Sequence, residues 1–333
     1  GAQPETPDSI RFNAPRQYAA QNRAVTPNDY KSRVKSIYAN AKSVSVWGGE
    51  DNDTPFYGRV YISIKPIAGA TLTETKKTDI INQLKEFNVA SITPIIEDPE
   101  TTSVQLNVNV KYDAKSTTQT ADSINALVTS AITNFNTNNL QEFDSIFRHS
   151  KFIETVNKVD NSILSNITTV KLHKSFTAVT TGSTSYTVNY NNALYNPHSG
   201  HNASAGGILT SSGFKISGDA TNEYFLDEDG EGNVRLYYLV GTTRTYSNSS
   251  QGTINYSTGV ITINSLNITS VSNVDGATST AVRLTVIPSS VDVIPVRNQV
   301  LEIDETNTTV SVSADTYDTT SGIGYTSATS YAS

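Results

Sequence analysis

Residues 22–30 read NRAVTPNDY, and this stretch decides the fold because it combines three signals of a helix start. Thr26 can accept a hydrogen bond from a free amide in the first helical turn. Pro27 stands at the first helical position, where no amide donor is needed. Asp29 follows Thr26 by three residues, which is the capping-box position, and its charge suits the positive end of a helix. The stretch therefore predicts a helix that begins directly after Thr26.

Strands are predicted to follow this helix, whose buried face is marked by apolar residues at helical spacing: Tyr30, Val34, Ile37, Tyr38 and Ala41. One strand is predicted over Val44–Trp47 and another over Gly58–Pro66. An acidic, glycine-rich connector, Gly48–Thr54, joins them. Trp47 and Phe56 flank this connector, and they can either anchor a partner or close the edge of the core.

Helical and strand patterns alternate up to about residue 175. Thr73 is a candidate cap for the helix Thr73–Phe87, and Glu97–Thr102 is predicted to be a hairpin turn. Further helices are predicted over Thr118–Phe135 and Phe143–Val159, and further strands over Ile92–Ile96, Val104–Val110 and Ile167–His173. The order β-α-β-β-α-α-β matches a ferredoxin-like split βαβ fold, with helices on one side of an open sheet.

The composition changes at about Phe176, where Ser, Thr, Asn, Gly and Tyr begin to dominate. Short strand patterns separated by turn residues are typical of an all-β sandwich or barrel. The predicted fold class is α+β, with a ferredoxin-like region followed by an all-β region. The predicted domains are an extended proline-containing arm (1–20), an α/β region (21–175) and a β-rich assembly domain (176–333).

Composition excludes several classes of function. The 333 residues carry a net charge of −7 and no basic patch longer than a few residues, so we expect no nucleic-acid partner. No apolar run approaches the ~18 residues that span a bilayer, and the first residues do not form a signal-peptide pattern. The chain has no Cys, which excludes disulfides and thiolate metal sites.

Two clusters are candidate metal sites, and neither meets the requirements. The acidic run Asp227–Asn233 lacks the glycine position and the final Glu of a calcium loop, so we interpret it as a hairpin turn between two strands. His198 and His201 lie in a loop rich in Gly and Ser, without a zinc-binding helix or a third ligand at defined spacing. We therefore predict no metal-binding residue and no cofactor.

Catalytic residues are not predicted either, because no set of nucleophile, base and orienting group is visible. A hydrolase is accordingly the weakest of three hypotheses. Tyr237 and Tyr238 occupy adjacent strand positions, so one of them should face outward. An exposed Tyr suits protein contacts, because it buries apolar area and keeps a hydrogen bond, but it can equally fill a sheet surface.

A family resemblance comes from three segments: RAVTPNDYKSRV (23–34), AKSVSVW (41–47) and YGRVYISIKP (57–66). Together they resemble the signature region of the baseplate J-like family of contractile phage tails. The sequences of these segments are most similar to the C-terminal half of the ring-forming wedge proteins of T-even phages. The motif covers roughly residues 20–66, and the βαβ pattern extends the resemblance to about residue 175.

The resemblance implies a non-enzymatic structural protein of the virion, made late, located in the tail baseplate and assembled in the host cytoplasm. It also implies a homodimer, and a ring of such dimers around the hub that holds the wedges together and rearranges during sheath contraction. Other wedge proteins and the sheath initiator are the implied partners, and neither nucleic acid nor a membrane is one. The alternative hypothesis is a carbohydrate- or receptor-binding β module on an α/β base.

Overall fold

A computed structural model of the chain describes residues 23–315 except 53 and 202–206, together with six positions between residues 7 and 18. Those six positions are exposed and have helical backbone. The rest of the predicted extended arm, residues 1–20, lies outside the described residues.

The first helix begins where the capping box predicts. Helix α1 spans Pro27–Ile37, and Thr26 Oγ accepts a hydrogen bond from the Asp29 amide at 3.3 Å. In return, the Asp29 carboxylate accepts hydrogen bonds from the amides of Thr26 at 2.8 Å and Val25 at 3.1 Å. Both halves of the capping box are therefore present, and the predicted helix start is confirmed.

A three-stranded sheet follows this helix along the chain. Strands β1 (Ala41–Gly48) and β2 (Arg59–Pro66) pair antiparallel, and β3 (Thr93–Glu97) pairs parallel with β2. Helix α2 (Glu74–Leu84) provides the crossover that a parallel pair requires. The predicted cap, Thr73, accepts a hydrogen bond from the Lys76 amide. A single apolar core joins these elements: Ala24, Tyr30, Val34, Ala41, Val44, Val46, Ile62, Ile64, Ile80 and Leu84.

Two long strands begin a second sheet. Strands β4 (Glu100–Tyr112) and β5 (Ile163–Thr177) pair antiparallel, and helices α3 (Ala121–Asn139) and α4 (His149–Asn157) lie between them in the chain. The alternation of apolar and polar residues in β4 is reproduced as burial, because one face is fully enclosed: Val104, Leu106, Val108 and Val110.

The structure differs from the predicted ferredoxin-like sheet, because β3 and β4 lie in different sheets. The predicted hairpin over Glu97–Thr102 is instead a change of sheet at Asp98 and Pro99. Pro has no amide donor and restricts the residue before it, so strand pairing ends there. The alternating pattern of β4 shows which face is buried, and it contains no information about which strand is the neighbour.

Strands dominate after β5, as predicted for residues 176–333. They are β6 (Thr184–Asn189), β7 (Thr210–Ser211), β8 (Phe214–Ile216), β9 (Asp219–Glu228), β10 (Asn233–Val240), β11 (Thr243–Asn255), β12 (Val260–Leu266), β13 (Ile268–Val271), β14 (Ala281–Val286), β15 (Gln299–Ile303) and β16 (Thr309–Ala314). Seven of them form an antiparallel sheet in the order β13-β8-β9-β10-β11-β12-β6. The molecule is a mixed α/β structure made mostly of strands.

The sheet that begins with β4 and β5 is completed by strands from much later in the chain. β14 pairs antiparallel with β5, β7 pairs with β14, and β16 pairs parallel with β4. The predicted domain boundary at residues 175 and 176 therefore falls inside β5. The described residues form two compact units: those up to 102, with 139–146 and 294–302, in the first, and those in 103–138, 147–293 and 303–315 in the second.

Candidate functional site

The acidic run of residues 227–233 forms the predicted hairpin turn between β9 and β10. Gly230 and Gly232 have φ angles of +78° and +103°, which L-residues with side chains rarely adopt. Asp229 closes the turn by accepting hydrogen bonds from the amides of Glu231 and Asn233. Burial alone would raise the pKa of Asp229, but the hydrogen bond from the Asn233 side chain, together with those from the two amides, outweighs it and lowers that pKa.

Asp227, at the end of β9, is the centre of a buried charge network. Its side chain is 1% exposed. Its carboxylate accepts hydrogen bonds from Arg235 Nε at 2.9 Å, Arg244 Nη1 at 2.7 Å and the Tyr246 hydroxyl at 2.9 Å. A buried carboxylate is costly without such partners. Its oxygens thus hold two guanidinium groups in place, which is a structural role.

Aromatic rings surround this network on the same face of the sheet. Tyr237 stacks on Phe225, with ring centroids 5.7 Å apart, and it also contacts Tyr246. The guanidinium of Arg235 lies 4.3 Å from the Tyr246 ring centroid, and that of Arg244 lies 4.9 Å from the Tyr237 centroid. Tyr and Arg on one rigid face form the composition that dominates the energy of protein interfaces.

The adjacent tyrosines do lie on opposite faces of β10, but neither is the exposed one. Tyr237 is buried by its neighbours, and Tyr238 packs against Tyr224 on the other face. On the face that carries Tyr237, the exposed aromatic side chain is that of Tyr246, which is 41% exposed. Sequence spacing places Tyr237 correctly on a face, but it cannot show that side chains from β9 and β11 cover it.

The connector after β1 separates its two aromatic residues. Trp47 is buried, stacks on Tyr61 and donates from Nε1 to Asn52 Oδ1 at 2.8 Å, so it closes the edge of the core. Phe56 is 45% exposed and Tyr57 is 83% exposed. No motif in the sequence marks Tyr57 as a contact residue, although its place in a turn beside Gly58 indicates exposure.

The two loop histidines contact each other. His201 Nδ1 lies 3.1 Å from His198 Nε2, and the rings meet edge to face. Within the ranges that the structure describes, no group of three or more His, Cys, Asp or Glu side chains could hold a metal ion. No helix among those residues is both long and apolar enough to cross a bilayer.

Comparison with known families points to the class of baseplate structural proteins. Residues 26–97 match the family described as "Baseplate structural protein gp6, C-terminal domain I". Residues 100–175 match "Baseplate structural protein gp6, C-terminal domain III". The two matches meet at residues 98 and 99, where the chain changes sheets. They support a structural component of a phage tail baseplate, whereas the more specific J-like family remains a prediction.

One particular relative is "Baseplate wedge protein gp6" of Enterobacteria phage T4, which is 28% identical over 172 residues. The match covers 52% of this chain and 26% of that protein, so the chain spans about a quarter of the relative's length. A solved structure, "Cryo-EM structure of the anti-feeding prophage (AFP) baseplate, 6-fold symmetrised", is 12% identical with a TM-score of 0.38. That likeness covers 50% of this chain and 37% of the other.

Proposed function

We propose that the chain is part of a tail baseplate wedge protein that forms a homodimer, and that such dimers form a ring around the hub. The adjacent matches at residues 26–97 and 100–175 carry this proposal. The proposed ring contacts other wedge proteins and the sheath initiator, holds the wedges together and rearranges when the sheath contracts. Its proposed place is the tail baseplate of the virion, after late synthesis and assembly in the host cytoplasm.

The proposed role is mechanical and involves no covalent chemistry. In support, the acidic residues that stand out in the sequence serve the fold: Asp227 pairs with two arginines, and Glu228 accepts hydrogen bonds from two amides and the hydroxyl of Tyr256. These carboxylates hold neighbouring strands and turns together, and they thereby stiffen a contact surface, which is what an assembly protein requires.

Self-association is tested by the mass of the purified chain in solution. Light scattering at micromolar concentration should give twice the chain mass of 35.9 kDa. A two-fold dimer uses the same patch on both copies, so one substitution removes two sets of contacts. A mass equal to one chain at every concentration would contradict the dimer, while leaving a baseplate role through other contacts intact.

Two matched variants locate the contact. We assign it to the aromatic and arginine face of β9–β11, where Leu239 is 46% exposed. Leu239→Glu should return the mass to that of one chain. Leu164→Glu alters an aliphatic side chain that is 54% exposed on β5, and it should leave the dimer unchanged. The reverse result would place the contact on β5 and refute our assignment.

A further inference from the structure

A groove lies at the end of the seven-stranded sheet where three turns meet. The β9–β10 turn contributes Gly230–Gly232, the segment from β11 into the next turn contributes Thr253–Ser257, and a loop contributes Asn196 and Ser199. The volume is about 560 Å³. This size falls within the range of about 300–1,000 Å³ that is typical of sites for small ligands.

The wall of the groove is held rigid by Glu228, which is fully buried. One carboxylate oxygen accepts a hydrogen bond from the Ile208 amide at 2.9 Å. The other accepts from the Gly230 amide and the Tyr256 hydroxyl, both at 2.5 Å. Burial, and then the bond to this carboxylate, raise the pKa of Tyr256, so its hydroxyl stays protonated. Two of the three segments are thereby fixed before any ligand arrives, which lowers the entropic cost of binding.

The lining is polar and has hydrogen-bonding groups of several kinds. It contains the amides of Asn196 and Asn255, the carboxylate of Glu231, the ring of Tyr256 and three hydroxyl side chains: Ser199, Thr253 and Ser257. Asn196 Oδ1 is buried and receives no hydrogen bond from any described residue. Because that atom is closed off from the surface, a ligand in the groove cannot reach it. The acceptor that a ligand can reach is the exposed carboxylate of Glu231, one oxygen of which already accepts from the Ser199 hydroxyl.

Charge and polarity narrow the ligand class. Among the described lining residues there is no Lys or Arg, and Glu231 is the one charged side chain. A carboxylate without a compensating cation repels phosphate, sulfate and sialic acid. An apolar ligand would cover the exposed carboxylate of Glu231 without pairing it. A molecule with many hydroxyl donors and a few C–H faces for the Tyr256 ring satisfies both conditions.

We propose that this groove binds a neutral carbohydrate. The property is additional to the proposed wedge assembly and does not depend on it. It gives the β-rich part of the chain a surface for a hydroxyl-rich ligand, in which Glu231 accepts hydrogen bonds from sugar hydroxyls. A peptide strand of a partner protein is the competing occupant.

The test uses the full chain and three named probes: chitotriose and maltotriose as neutral sugars, and 3′-sialyllactose as an anionic one. Binding is measured by ligand-observed NMR at about 10 mM sugar, where weak single-site binding is still populated. We expect saturation transfer to at least one neutral sugar and none to the sialylated one. No transfer to either neutral sugar would overturn the proposal, as would stronger transfer to the anionic sugar.

Variants separate the groove from other surfaces. Ser257→Trp fills the groove from an exposed turn position and should abolish the signal. Ser249→Trp adds the same bulk at an exposed position of β11 that does not line the groove, and it should have no effect. Glu231→Gln, which removes a charge-assisted acceptor, should weaken binding about fivefold. Equal sugar binding by both tryptophan variants would refute the site. Loss of sugar binding on addition of a wedge-derived peptide would indicate that a peptide strand, and not a sugar, occupies the groove. Light scattering of these variants is expected to show an unchanged dimer, so either proposal can fail alone.

Discussion

Replacing Asp29 with alanine should destabilise the first compact unit more than replacing Thr26 does. A helix cap is usually credited to its N-cap hydroxyl. In this chain the Thr26 hydroxyl accepts one long hydrogen bond, 3.3 Å from the Asp29 amide. The Asp29 carboxylate accepts two shorter ones, 2.8 Å from the Thr26 amide and 3.1 Å from the Val25 amide. It also faces the positive end of the helix.

The expected magnitudes follow from these contacts. Loss of an N-cap side chain costs typically about 1 kcal/mol, and the long bond of Thr26 places Thr26→Ala near about 0.7 kcal/mol. Asp29→Ala removes two charge-assisted bonds and a favourable helix-end charge, but solvent screens part of both effects. We expect about 1.5 kcal/mol. The double variant should cost less than the sum, because the two side chains hold the same turn in place.

Urea unfolding followed by Trp47 fluorescence measures these differences, because Trp47 is the single Trp and lies in the same compact unit. Asn28→Ala is the matched control. It lies between the two residues at an exposed helical position, and we expect a change below about 0.3 kcal/mol.

The pH dependence provides an independent check. Burial would raise the pKa of Asp29, but hydrogen bonds from the Thr26 and Val25 amides lower it below its usual value. The stabilisation from this carboxylate is therefore fully present above the unfolded pKa of about 3.9, and it is lost as the pH falls through the folded value. The Asp29→Ala penalty should shrink in acid. A larger loss for Thr26→Ala, or an Asp29→Ala penalty that persists at low pH, would refute the reasoning.

Three further predictions concern other parts of the chain. Asp227→Asn should lower the free energy of unfolding, measured by thermal denaturation, by about 2–3 kcal/mol, because it leaves two partly buried guanidinium groups without a negatively charged partner. Gly49→Ala should cost at least about 2 kcal/mol and alter the Trp47 emission, because a Cβ would lie 2.0 Å from the Phe56 carbonyl oxygen. Hydrogen bonds from the Arg148 guanidinium and the His149 amide lower the pKa of Asp292. The stabilisation of the folded state by this carboxylate is therefore present at neutral pH. The melting-temperature loss caused by Asp292→Asn should therefore diminish below about pH 4.

Local chemistry in this sequence predicts local structure well. The capping box at Thr26, the cap at Thr73 and the alternation in β4 each rest on a few neighbouring residues, and the structure confirms all three. These signals are strong because side-chain oxygens compete for nearby amides and because burial follows the period of the backbone.

Long-range strand pairing cannot be read from local patterns in the sequence. Strand β16 pairs parallel with β4 about 200 residues earlier, and β5 gains its second neighbour from β14. Alternation shows that one face is buried, but it is the same whichever strand lies alongside. For the same reason the sequence could not show that Asp227 is buried, since its partners come from β10 and β11.

The part of the chain without a family match completes the sheet of the part that has one. The match to domain III ends at residue 175, but β14 lies beside β5, and both β15 and β16 lie beside β4. An uncovered edge of two long strands is a template for pairing with other chains, so natural proteins rarely leave one exposed. The strands after residue 175 are therefore a structural requirement of the matched region, in addition to any binding surface that they carry. We expect a relative that keeps the matched segment to protect the same two edges, with later strands of its own, with a partner, or with charged or bulged edge residues.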